Sequence, residues 1–323
     1  MAEPSDSTPK QPAPPVPLIG LALGGGMARG FAHIGVLKTL SRHGIRPGLV
    51  AGTSIGALVG GAYLAGKLDA LEDWALSLNR RKIFRYLDFR VRSAGIIGGH
   101  RLNAVLDDHF GKMMIEDLPV PLVCIASDLV TGHEVWLRRG SLVDSMRASF
   151  ALPGVFPPVD LNNRLLVDGA LLNPVPVSPL HSYGAHMTIA VDLNADMIGK
   201  SRRPGTSYQS VLGFDVFNPE HVDPDDQKPF TGGLGRRIFN REPNAPSLFG
   251  VMVSALTIIQ DRLTRSRLAG DPPDVHIRPR IGHIGMLEFE RAREMIHEGE
   301  LAAERALDEI HAAVNILIPP KQS

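Results

Sequence analysis

A stretch of twenty residues without a charged side chain, residues 47–66, constrains the fold of this chain more than any other part of its sequence. A run of this length is long enough to span a bilayer as a helix. This one contains six glycines and the pair Thr53-Ser54, and few of its side chains are large and apolar. We therefore predict a buried strand at Leu49–Gly52 that turns sharply into a buried helix at Ile55–Ala65, and not a transmembrane helix.

The turn between these two predicted elements carries a G-x-S-x-G pattern that begins at Gly52, centres on Ser54 and ends at Gly56. In a nucleophile elbow, a serine lies in a strained turn from strand to helix, and small neighbours let the chain bend there. The positive end of the helix dipole then lies near the serine and stabilises negative charge. The pattern predicts a nucleophile at Ser54. On this pattern alone, a plain turn between two buried elements stays open as the alternative.

Three consecutive glycines, Gly24, Gly25 and Gly26, follow a predicted strand at residues 18–23, and Arg29 and Gly30 come soon after. Bare backbone N–H groups can bind a phosphate or a developing oxyanion. The dinucleotide fingerprint G-x-G-x-x-G fails because its third glycine would fall on Arg29, and no Lys-Ser/Thr pair follows as a P-loop requires. The glycines could also serve close packing only, and Arg29 could pair with a structural carboxylate.

An aspartate, Asp168, stands between a short apolar stretch at Leu165–Val167 and Gly169. Asp-Gly is common in plain turns, but an aspartate at a strand end can also project into a site. A serine nucleophile needs a base and a site for the oxyanion. The chain offers one candidate for each, in the order glycine loop, serine and aspartate.

The remaining pattern predicts an α/β chain with a mostly parallel sheet covered by helices on both faces, because strands alternate with helices. Residues 1–17 are polar and proline-rich and read as a disordered tail, with no pattern of a secretory signal. Residues 196–247 are rich in Pro, Gly, Asp and Arg and read as a partly irregular insertion. The prediction is one catalytic domain at 18–320. Further helices are expected at Phe31–His43, Leu68–Leu78, Arg101–Phe110, Leu142–Ser149, Leu248–Leu268 and Leu287–Val314, and further strands at Leu122–Ala126, Glu134–Leu137, Met187–Leu193 and Asp274–Ile277.

Composition limits the classes of function. The 323 residues include 34 basic and 34 acidic side chains, and this zero net charge argues against a nucleic-acid partner. With 44% hydrophobic and 21% charged residues, the chain can bury a large core. Its single cysteine, Cys124, excludes an internal disulfide and a multi-cysteine metal site.

Taken together, the three motifs resemble the patatin-like phospholipase family, in particular its bacterial members. Three more stretches are similar to family segments: the glycine-flanked turn Gly95–Gly99, the strand and turn Ala126–Gly132, and Ala148–Pro158, which leads to the aspartate. The resemblance covers about residues 18–195 and resumes near 270–300. Ala170 stands where many members have a second glycine. The insertion has no counterpart in the family pattern.

The resemblance implies a three-layer patatin-like α/β fold with a nucleophile elbow, and hydrolysis of phospholipid or lysophospholipid esters by a Ser–Asp dyad. Carried over, Ser54 is the nucleophile and Asp168 the base. The N–H groups of Gly25 and Gly26, with Gly24 as a further candidate, would bind the oxyanion, with Arg29 adding charge. Burial beside residues 165–167 is expected to raise the pKa of Asp168. The motif glycines are Gly30, Gly52, Gly56 and Gly169, and no cofactor or metal is implied.

Two alternatives stay open. One is an α/β-hydrolase triad, because four histidines follow Asp168 in the order Ser…Asp…His: His181, His186, His276 and His283. The other is a non-catalytic scaffold or lipid-binding protein that has kept the fold. Acyl-chain and head-group preference, positional specificity and oligomeric state are not determined by the sequence.

Two segments suit peripheral contact with lipid. Arg80–Arg92 mixes basic and aromatic residues, and Leu248–Leu268 is apolar on one side and basic towards its end. For both, packing against the core is the competing interpretation. The spacing of Asp128, His133 and the pair Asp107-Asp108 matches no metal-ligand pattern. We expect a cytoplasmic protein without a metal that meets its lipid ester substrate at the membrane periphery.

Overall fold

The computed structural model describes residues 18–79, 82–83, 100–196 and 248–317. Its strands are β1 Ile19–Leu23, β2 Leu49–Thr53, β3 Leu122–Asp128, β4 Glu134–Leu137, β5 Val159–Leu161, β6 Arg164–Asp168, β7 Met187–Val191 and β8 Val275–Ile277. Its helices are α1 Ala32–Arg42, α2 Ile55–Leu64, α3 Leu68–Leu76, α4 His100–Phe110, α5 Leu142–Phe150, α6 Val177–Ser182, α7 Leu248–Gly270 and α8 Ala292–Leu317. Short 3-10 helices cover Met27–Phe31, Ile115–Asp117, Gly169–Leu171 and Phe289–Arg291.

The eight strands form one sheet whose centre is parallel and whose β3 end is antiparallel. Strands β3, β2, β1, β7 and β8 run parallel in that order, while β4 and β6 both pair antiparallel with β3, and β5 pairs with β6. The predicted mostly parallel α/β sheet is thus confirmed. Strand β5 and helix α6 were not predicted, because three- and six-residue elements are too short to show a period.

Helices cover both faces of the sheet, as the alternation of β1 shows. Its residues Leu21 and Leu23 belong to the larger core cluster, which is formed with α1, α2, α5 and α8. The residue between them, Ala22, faces the other way and packs in a second cluster with Val177 and Leu180 of α6. Successive strand side chains point to opposite faces, so the strands have to be apolar throughout. This layering is the expected three-layer α/β arrangement.

The uncharged run forms a strand and a helix inside this sheet, as predicted. Strand β2 is buried at all five positions between β1 and β3, and only Ser54 separates its last residue, Thr53, from the first residue of α2. The approach of α2 to β1 requires Gly56, because an added Cβ would lie 2.1 Å from the backbone oxygen of Leu23. Among the described residues, no helix combines the length and the apolarity needed to cross a bilayer.

Strands β2 and β6 meet end to end along one edge of β3. Ile125 of β3 pairs with Thr53 of β2, and the next residue, Ala126, pairs with Asp168 of β6. Strand β4 pairs with the same two residues of β3, so it occupies the opposite edge. Because β2 is parallel and β6 antiparallel to β3, their carboxyl ends converge. Ser54, the residue after β2, and Asp168, the last residue of β6, therefore come together.

Several predictions concern residues outside the described ranges. These are the tail at 1–17, the turn at Gly95–Gly99, the insertion beyond Asp196, and the basic segment Arg80–Arg92 apart from residues 82–83. The domain boundaries stay a prediction.

Candidate active site

The turn after β2 has the strained geometry of a nucleophile elbow. Ser54 has φ 56° and ψ −124°, a conformation that non-glycine residues rarely adopt. Holding a residue there costs roughly 1–3 kcal/mol, which the surrounding structure has to offset. The side chain is nearly buried, with 6% of its residue surface exposed. Such strain is typical of functional positions, and it places the hydroxyl at the end of the sheet.

The hydroxyl of Ser54 is hydrogen-bonded directly to Asp168. Ser54 Oγ donates to Asp168 Oδ2 at 2.7 Å, and the other carboxylate oxygen accepts from the backbone N–H of Ala170 at 2.8 Å. The Asp168 backbone carbonyl accepts from the Ser127 hydroxyl at 3.0 Å. The two predicted residues are thus brought together across the chain, and the carboxylate is oriented from both of its oxygens.

Burial changes the acid–base properties of this carboxylate. Asp168 is 2% exposed, and desolvation raises its pKa to about 6, partly opposed by its hydrogen bonds from Ala170 and Ser54. A pKa near 6 leaves the group mostly ionised at neutral pH and makes it a stronger base than an ordinary aspartate at about 3.9. The pKa of Asp168 is therefore raised, which is the expected direction, and the cause is burial of the carboxylate.

A second buried serine, Ser149 of α5, holds the elbow in place. Its hydroxyl accepts a hydrogen bond from the Ser54 backbone N–H at 2.9 Å and donates one to the carbonyl of Ile125 at 2.6 Å. It therefore joins the elbow to the point on β3 where β2 and β6 meet. Sequence reasoning gave Ser149 no role, although it lies in a segment that resembles the family.

We expect Ser149→Ala to slow ester hydrolysis about tenfold and to lower the free energy of unfolding by about 1–3 kcal/mol, because it leaves the buried Ser54 N–H unsatisfied. Rate measurements and chemical denaturation would test both values. The matched control is Ser145→Ala on the same helix, since Ser145 is buried and its hydroxyl has no hydrogen-bond partner among the described residues. Equal effects of the two changes would contradict a positioning role for Ser149.

The glycine loop packs against the Ser54 elbow and against the turn that follows Asp168. A Cβ added at Gly25 would lie 3.2 Å from the Ala170 side chain and 3.4 Å from that of Ser54, so the three sequence motifs meet here. However, the Gly24 N–H donates to the Val191 carbonyl at 3.1 Å, and the Gly25 N–H donates to the Pro174 carbonyl at 2.9 Å. The expectation that these two amides bind an oxyanion is therefore corrected, because both are already bonded within the protein.

The next two residues of the loop are better placed as donors. Gly26 and Met27 line the pocket that also contains Ser54 and Asp168. Met27 has φ 51°, a strained value for a non-glycine residue, and it begins the 3-10 helix, where the first N–H groups have no partner within the helix. Gly26 was predicted. Met27 was not predicted, because its side chain carries no polar group and the sequence does not show that the residue lines the pocket.

Arg29 does not line the pocket, contrary to the expectation that it adds charge at an oxyanion. It is fully buried, and its Nε and Nη2 donate to the Ile284 carbonyl at 2.8 and 2.6 Å. Burial lowers its pKa to about 10, opposed by the carboxylates of Glu288 and Asp196, so it stays charged at neutral pH. Arg29 instead ties the start of the glycine-loop helix to the segment before α8.

A buried histidine supports the same loop. His33 of α1 is fully buried, and its Nε2 lies 2.8 Å from the Gly24 carbonyl. Burial lowers the pKa of His33 to about 4, so the ring is neutral at neutral pH. Because a carbonyl only accepts, Nε2 carries the proton and donates it. The loop is thus bonded through both the N–H and the C=O of Gly24.

Three of the four histidines of the triad alternative have partners other than Ser54, and the fourth is exposed on the surface. His186 Nδ1 accepts from the Leu18 N–H at 3.0 Å, His276 Nε2 lies 3.6 Å from Asp192, and His283 lies 2.7 Å from Glu294. His181 lies on the exposed surface of α6. Since the Ser54 hydroxyl donates directly to Asp168, the geometry favours a dyad.

The remaining motif glycines permit close backbone packing. An added Cβ would come within 3 Å of a neighbouring atom at each of Gly30, Gly52 and Gly169. Within the described ranges, no three or more His, Cys, Asp or Glu side chains are grouped so as to hold a metal ion. Asp128, one of the acidic residues considered, is paired with Arg164 at 2.8 Å.

Helix α7 covers one side of the pocket over Ser54. Leu256, Thr257 and Gln260 of α7 line it together with Leu152 and Met286. Its volume is about 10 Å³, measured as the space open to the centre of a water molecule. A site of this size holds about one water molecule. Sequence reasoning predicted this helix but had no means of placing it over the serine.

The sheet covered by helices on both faces and the strained serine bonded to a buried aspartate define an α/β protein with the layout of a serine-dependent hydrolase. A family model described as patatin-like phospholipase matches residues 21–181. A relative from Mycobacterium tuberculosis, described as an NTE family protein, is 36% identical over 90% of this chain and 92% of its own length. The chain belongs to the patatin-like phospholipase family.

More distant matches cover smaller parts of longer proteins. A protein named lysophospholipase NTE1 from Pyricularia oryzae is 29% identical over 87% of this chain, which spans 18% of that protein. Among solved structures, VipD from Legionella pneumophila is similar with a TM-score of 0.45 and 13% identity, over 91% of this chain and 67% of that one.

Proposed function

We propose that this protein is a serine acyl-ester hydrolase that cleaves phospholipid or lysophospholipid esters through Ser54 and Asp168. The observation that carries the proposal is the 2.7 Å hydrogen bond from the Ser54 hydroxyl to a buried carboxylate. A serine hydroxyl is a poor nucleophile until a base takes its proton. Here the base is already in hydrogen-bond contact, and burial has raised its pKa to about 6.

The first half of the reaction forms an acyl-serine. Ser54 Oγ attacks the ester carbonyl carbon while its proton passes to Asp168 Oδ2, and the carbonyl oxygen becomes an oxyanion. The N–H groups of Gly26 and Met27 are the proposed donors to this oxygen, with the amino end of α2 behind the serine. The tetrahedral intermediate collapses, the bond to the alcohol oxygen breaks, and Asp168 returns its proton to the departing alcohol.

The second half releases the fatty acid. Water loses a proton to Asp168 and attacks the acyl carbon, and a second oxyanion forms at the same N–H groups. Collapse breaks the bond to Ser54 Oγ, which regains its proton from Asp168. One carboxylate thus acts alternately as base and acid, as a pKa near neutrality allows.

Family membership supports a lipid ester as the substrate class. The relative from Pyricularia oryzae is named a lysophospholipase, and this favours a lysophospholipid among the candidates. The apolar side chains of Leu152, Leu256 and Met286 at the pocket suit an acyl chain.

Two assays test the proposal. A fluorophosphonate probe should label Ser54 covalently, and a panel of phospholipids and lysophospholipids should show release of fatty acid. A wild-type protein that is neither labelled nor active would favour the scaffold alternative. Loss of activity on changing any one of His181, His186, His276 or His283 to Ala would favour the triad alternative.

We expect kcat/KM to fall as pH is lowered through about 6, because protonated Asp168 cannot accept the serine proton. The same group acts on stability in the opposite direction. Its raised pKa contributes stability that is complete below its unfolded pKa of about 3.9 and is lost as pH rises through about 6. A pH–rate profile with parallel melting curves tests both expectations. An acid limb centred near pH 4 would contradict them.

A further inference from the structure

Helix α7 separates the catalytic pocket from the outside. Its inner residues Leu256, Thr257 and Gln260 line the pocket, and Met252 packs closely against Gly154. Near its carboxyl end, Arg267 is ion-paired with Glu134 of β4 at 3.1 Å. The helix is therefore anchored by charge at one end and by apolar packing over the pocket. On the side that α7 covers, a substrate reaches Ser54 only if the helix moves.

The outer side of the same helix exposes large apolar side chains. Val251, Ile258 and Ile259 are 49%, 63% and 54% exposed, and Ala255 is exposed between them. Residues spaced by three, four and seven lie on one helical face. We call this set of four residues the outer apolar face. A water-facing helix surface normally carries polar residues, so a clustered apolar face indicates a contact with another apolar phase.

Exposed cations continue the outer apolar face towards the carboxyl end. Arg262 is exposed one turn after Ile258, and Arg265, half exposed, follows three residues later with its Nε 3.4 Å from Asp261. Apolar residues followed by arginines on one helical face suit a lipid surface, where acyl chains meet anionic head groups.

The same edge of the sheet has a second exposed apolar group. The turn after β3 exposes Leu129 and Val130 at 51% and 81%, and Leu165 beside it is 38% exposed. Its position follows from the register, since β3 runs three residues beyond the partner of Thr53. The turn therefore lies at the carboxyl edge of the sheet, as Ser54 does. Apolar groups at this edge come from two separate parts of the chain.

We propose that the outer apolar face of α7, with Arg262 and Arg265, is the surface by which this protein docks on an anionic lipid surface. Docking rests on the proposed function, since a lipid substrate resides in such a surface. The pocket holds about one water molecule while α7 covers it, so an acyl chain enters only when α7 moves. Transfer of the outer apolar face into lipid supplies the free energy for that movement.

The test measures binding separately from hydrolysis. In the Ser54→Ala background, cosedimentation is measured with vesicles of equal parts phosphatidylglycerol and phosphatidylcholine. We expect Ile258→Asp with Ile259→Asp to lower the partition coefficient at least about tenfold, since burial of one such side chain suffices for this factor. The control is Ile316→Asp, the same change at an 80% exposed isoleucine of α8, and it should change binding less than about twofold.

A second measurement tests the proposal even if the double variant does not fold. Ile258→Cys and Ile316→Cys are labelled with an environment-sensitive fluorophore. Cys124 is fully buried with a pKa raised to about 12, so it does not compete for the label. Vesicles should shift the emission of the label at 258 to the blue and leave that at 316 unchanged.

Unchanged vesicle binding by the folded double variant would overturn the proposal, and so would the absence of an emission shift at position 258. If the double variant also changed from dimer to monomer while its vesicle binding stayed unchanged, the face would be assigned to a second copy of the chain. Hydrolysis of lipid without dependence on this face would leave the proposed function standing. Vesicle binding by a wild-type protein that hydrolyses no ester would refute the proposed function and keep the docking surface.

Discussion

Ser54→Ala is expected to abolish hydrolysis of every lipid ester, with a loss in kcat of about 10⁴-fold or more. Without Oγ, no acyl-serine forms, and only the oxyanion donors and bound water remain to assist the reaction. The variant should fold, since the Ser54 N–H bond to Ser149 does not involve the lost hydroxyl. Fatty-acid release on the lipid panel and labelling by fluorophosphonate are the measurements.

The matched control for this experiment is Ser145→Ala. Ser145 is likewise a buried serine, but its hydroxyl has no hydrogen-bond partner in the part of the chain that the structure describes, so its loss removes no hydrogen bond there. This control should keep wild-type activity and labelling. Hydrolysis that survives in Ser54→Ala while thermal unfolding stays cooperative would refute Ser54 as the nucleophile.

Asp168→Asn should lower kcat by about 10²–10⁴-fold, the usual contribution of a positioned general base. An amide has nearly the size of the carboxylate, so the contacts with Ser54 and Ala170 keep their spacing. An amide oxygen, however, does not take up the serine proton. Slow labelling of Ser54 by fluorophosphonate should accompany the loss of turnover, since the probe also requires an activated hydroxyl.

Asp192→Asn is the control for that change. Asp192 is 4% exposed and directly follows β7, another strand of the same sheet, where its Oδ1 accepts from the Asn194 N–H. It therefore shares burial and location at a strand end with Asp168 but not contact with Ser54. We expect near-normal kcat here. If both asparagine variants lost activity equally, the effect would be structural, and Asp168 would not be the base.

The residues of the candidate dyad could be predicted because each belongs to a local pattern. The elbow around Ser54 needs small neighbours and a strand-to-helix change, and both are visible over a few residues. Asp168 follows an apolar strand and precedes glycine, which is equally local. The resemblance of the longer segments to one family added the assignment of roles.

The availability of the loop amides could not be predicted. The sequence shows three glycines with equivalent bare N–H groups, but the partners of Gly24 and Gly25 are the carbonyls of Val191 and Pro174, which lie 167 and 149 residues further along the chain. Which of these N–H groups is bonded within the protein depends on how the distant β7 and the loop before α6 dock. The same holds for Arg29, whose partner Ile284 comes from the segment before α8.

By itself, the sequence determined the class of fold, the elbow and the two residues of the candidate dyad, because apolar periodicity and turn chemistry act over short stretches. Only the tertiary structure decided that Ser54 and Asp168 touch, since they are 114 residues apart and their contact depends on β2 and β6 meeting end to end along one edge of β3. It also decided that α7 covers one side of the pocket. Packing between distant elements sets both, and no local pattern encodes it.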